Sequence, residues 1–265
     1  MTERRRNSEI VSEGDVRIET YVDGSGPALV VLPSYGRDGA EDFDKFTDLV
    51  VKAGWTVVRP QPRGIAGSIG PMIRMDLPAL ADDVARVIRQ LARSRAVVLG
   101  HAFGNYVARV LATEHGQLVS AVILAAASAS KVADDVNETP FIAGDPTRPE
   151  YERLAALQKA FFAPGHDARP WLSGWYPETL TMQRAAAKAT AVEKYWSSGD
   201  VPLLEIIARY DPFKPQPYWR ELSNQLGDRV TTALIEDAAH ALFPEQPVRV
   251  AQVVLPWIAS FRETS

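Results

Sequence analysis

The segment that most constrains the fold runs from Val97 to Asn105 and reads Val-Val-Leu-Gly-His-Ala-Phe-Gly-Asn. Its apolar start predicts a buried strand, and apolar residues at helical spacing follow the second glycine, so the segment is a strand, a tight turn and a helix. Gly100 and Gly104 flank the turn because the strand and helix backbones must approach closely there. We therefore expect Ala102, which lies between them, to have a strained and exposed backbone conformation.

Length and composition limit the possible classes of protein. The 265 residues suit one large α/β domain or a domain with an insertion. A net charge of −4 gives no reason to expect nucleic acid or an anionic membrane as a partner. The chain has four histidines and no cysteine, so we expect neither disulfides nor a zinc site, and no cofactor. No apolar run follows the basic segment Glu3–Arg6 as a signal peptide requires, so a cytoplasmic protein is expected.

Apolar strand segments and amphipathic helical segments alternate through residue 126, which predicts a mostly parallel sheet with helices on both faces. The alternation then stops, because residues 131–199 contain helical patches without a convincing buried strand. The strand pattern resumes at Leu203–Ala208 and Val230–Ile235, and Val248–Phe261 has the pattern of a closing helix. The sequence thus predicts an α/β core domain from residues 1–130 and 200–265, with an inserted helical cap from residues 131–199.

The turn around Ala102 resembles the nucleophile elbow, Gly-x-Ser-x-Gly, of the α/β-hydrolase superfamily, with alanine in place of serine. Two later segments resemble the same family in its order of nucleophile, acid and histidine. Asp211 is the first carboxylate after the strand that ends at Ala208, and His240 follows a strand and a turn of small residues. The resemblance implies that Asp211 orients His240 as a base. Asp237 is the rival acid, but it lies too near His240 in sequence to come from a separate strand.

The same resemblance implies an oxyanion hole made of two backbone N–H groups. One belongs to Phe103, directly after the elbow residue, and the other to the loop after the apolar strand 28–32. The family commonly has His-Gly-x in this loop, whereas this chain has Pro33-Ser34-Tyr35, so we assign the second donor to Tyr35. A further loop resembles the family's Asp-x-Arg-Gly-x-Gly-x-Ser, but Gln61 replaces the aspartate, so an ion pair from that position to Arg63 is lost.

Alanine at position 102 leaves two interpretations open. In the first, serine is the natural residue and alanine is a substitution that stops turnover and holds a substrate; the retained Asp211 and His240 favour it. In the second, alanine is natural and the Asp211–His240 pair acts as a general base, as in cofactor-free lyases and oxygenases of this fold, or the chain is a binding protein. The unusual Ser34, Gln61 and Asn105 favour the second interpretation.

The expected substrate is a bulky apolar or aromatic small molecule with an ester, lactone or similar carbonyl bond. The predicted cap contains nine of the chain's 23 aromatic residues, more than its share of the length. Trp171, Trp175 and Tyr176 lie in a stretch interrupted by glycine and proline, where aromatic side chains are more available to line a cleft than on a regular helix. We therefore predict that these three residues bind the substrate.

Overall fold

Strands and helices alternate along residues 6–92 and 94–262, the part of the chain that the computed structural model describes. The described strands are β1 (Ser8–Glu13), β2 (Val16–Gly24), β3 (Ala28–Leu32), β4 (Thr56–Pro60), β5 (Ala96–His101), β6 (Val119–Ala125), β7 (Leu203–Ala208) and β8 (Val230–Ile235). The described helices are α1 (Glu41–Lys52), α2 (Leu77–Leu91), α3 (Gly104–Glu114), α4 (Asp134–Asn137), α5 (Thr139–Ala143), α6 (Glu150–Ala160), α7 (Pro177–Ala189), α8 (Glu221–Leu226), α9 (Leu242–Glu245) and α10 (Pro247–Ile258). The outermost ends of the predicted core domain, which include Arg4 and Arg5, lie outside the described residues.

The eight strands form one sheet in the order β1-β2-β4-β3-β5-β6-β7-β8. The pairs β1–β2 and β2–β4 are antiparallel, and the remaining neighbours are parallel. This confirms the predicted α/β fold with a mostly parallel sheet. From β3 the chain continues to β4 on one side, and from β4 it crosses to β5 on the other side of β3. The loops after β3 and β5 therefore lie side by side. Open α/β sheets bind ligands at such a change in strand order.

The buried strands have the composition that burial on both faces requires. All residues of β3, β5 and β6 are buried, as expected for strands covered by helices on both sides. Helices α2 and α3 cover one face of the sheet, and α1, α9 and α10 cover the other. Helix α2 begins after Asp76, whose carboxylate accepts a hydrogen bond from the N–H of Ala79 at 3.0 Å.

Helices rather than strands occupy the segment between β6 and β7, all of which the structure describes. They are α4 to α7. The buried side chains of α4 to α6 form a separate apolar cluster around Phe161 and Trp171, whereas Met182 and Ala186 of α7 join the cluster that contains α2 and α3. The division into a core domain and a cap at residues 131–199 stays a prediction. No helix in the described ranges is long and apolar enough to cross a membrane.

Candidate active site

Ala102 lies on the tight turn between β5 and α3, in the left-handed region of backbone space with φ of 49°. This conformation costs a non-glycine residue about 1–2 kcal/mol, and it is stabilised by a hydrogen bond from the Ala102 N–H to the carbonyl oxygen of Ala125 at 3.0 Å. The turn needs its flanking glycines. A Cβ at Gly100 would lie 2.4 Å from the backbone of Gly104, and a Cβ at Gly104 would lie 2.4 Å from the carbonyl oxygen of Leu32.

Asp211 and His240 come from the loops after the neighbouring parallel strands β7 and β8. The Nδ1–H of His240 donates to Oδ2 of Asp211 at 2.9 Å, and both side chains are buried. Oδ1 of Asp211 accepts the N–H of Phe213 at 2.9 Å, which fixes the orientation of the carboxylate. Because Nδ1 carries the proton, Nε2 of His240 is free to accept one, and it has no protein partner among the described residues.

Asp237, the rival acid, is directed elsewhere. Its side chain is 62% exposed, and its carboxylate accepts hydrogen bonds from Nε2 of His166 at 3.1 Å and from the Gln246 amide at 3.0 Å. These contacts fasten Asp237 to the outer surface of the loop that carries His240. The carboxylate that reaches His240 is therefore that of Asp211.

His101 precedes the elbow residue and is 2% exposed. Its Nε2 lies 2.7 Å from the carbonyl oxygen of His240, and because a carbonyl only accepts, this nitrogen carries the proton. Burial, reinforced by repulsion from His240, lowers the pKa of His101 from 6.5 to about 3. His101 is thus a neutral donor that holds the backbone of the His240 loop against β5.

The two expected oxyanion donors lie on the same wall of the site. The N–H groups of Tyr35 and Phe103 have no acceptor among the described residues, and both residues line the cavity that contains Ala102. The loop of Tyr35 is held in place by Gly36, whose N–H donates to Oε1 of Gln183 at 2.7 Å and whose carbonyl accepts the N–H of Tyr176 at 2.8 Å. The segment between β6 and β7 therefore helps to fix the loop that carries Tyr35.

A cavity of about 470 Å³ opens at Ala102. Seven of the nineteen residues that line it are aromatic: Tyr35, Phe103, Tyr106, Phe141, Phe161, Tyr195 and Phe213. The charged residues at the cavity balance: Arg184 and Lys188 are opposed by Asp134 and Glu138, and Arg184 forms an ion pair with Glu138. The cavity is thus suited to a mostly neutral ring system.

Trp171, Trp175 and Tyr176 are not among the residues that line this cavity in the described chain. Trp171 is buried inside the cap, and its indole N–H donates to Asp42 at 3.0 Å. The guanidinium of Arg37 lies 4.2 Å from the Trp171 ring centroid and 5.4 Å from that of Trp175. Trp171 and Trp175 thus lie against Arg37 rather than at this cavity, and the substrate-binding role of Trp171, Trp175 and Tyr176 stays a prediction.

The residues that line the cavity in their place carried weaker signals in the sequence. Phe141, Phe161 and Tyr195 belong to the aromatic set of the predicted cap, but nothing in their spacing distinguishes them from residues that fill its interior. Tyr106 and Phe213 follow the elbow residue and Asp211 closely, so proximity to those motifs is the signal that identifies them.

Arg63, which Gln61 cannot pair with, forms its ion pair with Asp83 of α2 instead, at 2.7 Å.

Comparison with known proteins agrees with this architecture. The family model described as "alpha/beta hydrolase fold" matches residues 27–247. Protein ABHD8 of Bos taurus is 23% identical over 229 residues, which cover 77% of this chain and 49% of that protein, so the chain spans about half the length of this relative.

Two solved structures share the fold. An esterase from Exiguobacterium antarcticum superimposes with a TM-score of 0.75 at 19% identity, covering 91% of this chain and 96% of that one. A thermophilic esterase from Thermogutta terrifontis gives a TM-score of 0.75 at 19% identity, covering 98% of this chain and 100% of that one. At 19% sequence identity, these similarities are evidence for the fold alone. The extent of the family match, together with the elbow turn and the mostly parallel sheet, shows that this chain belongs to the α/β-hydrolase fold family.

Proposed function

We propose that this chain is a hydrolase-type enzyme that cleaves an ester, lactone or similar carbonyl bond of a bulky apolar or aromatic small molecule. The observation that carries the proposal is the composition of one cavity wall. The wall includes His240, which Asp211 orients and whose Nε2 is free, and the unpaired N–H groups of Tyr35 and Phe103. These groups provide a base and two donors for a developing oxyanion.

Since Ala102 has no hydroxyl group, the proposed nucleophile is water. Nε2 of His240 takes a proton from a water molecule, whose oxygen attacks the substrate carbonyl carbon. The carbonyl oxygen becomes an oxyanion that accepts hydrogen bonds from the N–H groups of Tyr35 and Phe103. The bond to the leaving alcohol oxygen then breaks, and the His240 imidazolium returns the proton to that oxygen. The products are one carboxylic acid and one alcohol, and Asp211 stabilises the transient imidazolium.

The test compares the chain with its Ala102→Ser variant on 4-nitrophenyl esters of acetate, butyrate and benzoate. Loss of one triad member costs related enzymes on the order of 10⁴- to 10⁶-fold in turnover. We therefore expect slow hydrolysis that His240→Ala abolishes, and a gain of that order on restoring serine. Ala126→Ser is the matched control, because Ala126 also has φ of 49° but does not line the cavity among the described residues. The proposal fails if neither the unmodified chain nor the Ala102→Ser variant hydrolyses any of these esters faster than the His240→Ala variant.

The methyl group of Ala102 also favours a second candidate function. With no nucleophile at the elbow, the His240–Asp211 pair could remove an acidic proton from a bound substrate, or the site could bind a ligand without chemistry. Product analysis separates these candidates. Deuterium exchange into an aryl ketone at the carbon next to its carbonyl, lost in His240→Ala, would indicate proton abstraction. Saturable ligand binding without exchange or hydrolysis would indicate a binding protein.

A further inference from the structure

The part of the cavity that the proposed reaction does not use contains a chain of aromatic rings. It starts at Phe141 in the cap, whose ring centroid lies 5.7 Å from that of Tyr35. Tyr35 lies 4.5 Å from Phe103, which lies 5.9 Å from Tyr106, which in turn lies 6.1 Å from Tyr195. All five rings line the cavity.

Three of these rings carry hydroxyl groups, and two of the hydroxyls lack partners. Tyr195 is 3% exposed, and its hydroxyl has no hydrogen-bond partner among the described residues. The same holds for the hydroxyl of Tyr35, which is half-buried. Tyr106, between them, interacts with the Ser128 side chain. An unpaired hydroxyl is unfavourable until it meets water or a ligand atom, so these two groups, which line a cavity of mixed polar and apolar residues, are available for recognition.

The protonation state of the tyrosines indicates which ligand atoms they accept. Burial, followed by repulsion from Tyr106, raises the pKa of Tyr195 to about 12. Burial, followed by repulsion from Tyr106 and Tyr195, raises the pKa of Tyr35 well above its usual value of 10. Both side chains are therefore neutral phenols near neutral pH, and each has an O–H to donate.

The charges around the cavity argue against an anionic ligand group at this place. Arg184 is engaged twice, since it forms an ion pair with Glu138 and its guanidinium lies 3.8 Å from the ring centroid of Phe141. Lys188 lines the cavity too, but its side chain is exposed to solvent. A neutral acceptor oxygen fits neutral phenol donors, because it requires no counter-charge.

We propose that the hydroxyl groups of Tyr35 and Tyr195 form a subsite that binds a neutral carbonyl oxygen of the ligand other than the one at the reacting bond. The substrate class is then an aromatic or polycyclic molecule with a second carbonyl, such as a ketone or quinone oxygen, in addition to the reactive one. The statement that the ligand also carries a reactive carbonyl bond rests on the proposed hydrolase function. The subsite itself does not, because it is tested by ligand binding alone.

The test is the equilibrium binding of flavanone and flavan, which differ in one ketone oxygen, measured by tryptophan fluorescence and isothermal titration calorimetry. A net hydrogen bond is worth about tenfold in Kd, so we expect flavanone to bind about ten- to a hundredfold more tightly than flavan. Tyr195→Phe and Tyr35→Phe should each reduce this preference by about tenfold, because each removes only a hydroxyl. Tyr151→Phe is the matched control, since Tyr151 is 72% exposed and does not line the cavity among the described residues.

Three results would overturn the subsite: no flavanone binding, equal binding of both compounds, or a ketone preference that survives in both phenylalanine variants. The last result would place the ketone at the N–H groups of Tyr35 and Phe103 and leave the proposed hydrolysis standing. Conversely, a tyrosine-dependent preference in a chain that hydrolyses no ester would support the subsite while the proposed reaction fails. Thermal unfolding of each variant shows whether it still folds. Tyr195→Phe and Tyr35→Phe test the subsite independently, so a folding defect in one leaves the other as a test.

Discussion

His101 provides a prediction whose size follows from its environment. The ring is 2% exposed, and its pKa falls from 6.5 to about 3 because burial disfavours the imidazolium. Between these two pH values the unfolded chain binds a proton at this position and the folded chain does not. His101 therefore costs the folded state nothing well above pH 6.5, and its titration lowers the free energy of unfolding as the pH falls from 6.5 towards 3.

The magnitude follows from the difference in pKa. Each unit corresponds to about 1.36 kcal/mol, so at a pH of about 5, roughly 1.5 units below the ordinary value, His101 should cost the folded state about 2 kcal/mol. We expect the change in unfolding free energy between pH 8 and pH 5 to be about 2 kcal/mol smaller in His101→Gln than in the unmodified chain. Glutamine keeps an N–H that can donate to the carbonyl oxygen of His240, so the contact is retained without the titration.

Urea unfolding followed by far-UV circular dichroism at the two pH values provides the measurement. Phe243→Leu is the control variant, because the Phe243 ring lies 5.2 Å from that of His101 but does not titrate. It should lower stability by the same amount at both pH values. An equal loss of stability on acidification in His101→Gln and in the unmodified chain would refute the reasoning, because His101 would then titrate alike in the folded and unfolded states.

Three further predictions concern the framework of the site. Gly104→Ala should destabilise the fold by at least about 2 kcal/mol, because its Cβ would lie 2.4 Å from the carbonyl oxygen of Leu32; thermal unfolding measures this, and an unchanged midpoint would contradict the close approach. Asp83→Asn should cost about 3–5 kcal/mol in urea unfolding, since Arg63, 5% exposed, loses its charged partner; a loss below about 1 kcal/mol would mean that water reaches the guanidinium. Asp76→Ala should cost about 1 kcal/mol by removing the N-cap of α2, and an unchanged urea midpoint would show that this cap is dispensable.

Local sequence patterns were sufficient for the elements that hold the site. The spacing of apolar residues predicted β7 and β8 at the bounds that the structure has. Such short apolar segments, set off from their neighbours by polar residues and turn residues, are recognisable from local pattern alone. The order of Ala102, Asp211 and His240 along the chain likewise required only sequence motifs, because each follows a strand of the parallel part of the sheet.

The lining of the cavity did not follow from local patterns. Trp171 and Tyr195 look alike in the sequence, since both are aromatic residues in a mostly helical insertion. In the structure Trp171 packs against Arg37 within the cap, whereas Tyr195 lines the cavity. The difference arises because α7 and the residue before it pack on the loop that carries Tyr35, which puts the residues before and after α7 in different surroundings. No periodicity in the sequence of this segment predicts that packing.

The sequence by itself determined the α/β sheet, the strained turn at Ala102 and the order of the site residues, because strand burial and turn geometry are local and depend on residue type. Only the tertiary structure decided that His101 is a neutral donor to the His240 loop and which aromatic rings face the cavity. These outcomes depend on where the carboxyl ends of strands meet and how the cap packs on them. Such contacts join residues that are distant along the chain, so their geometry is set by packing of the whole fold.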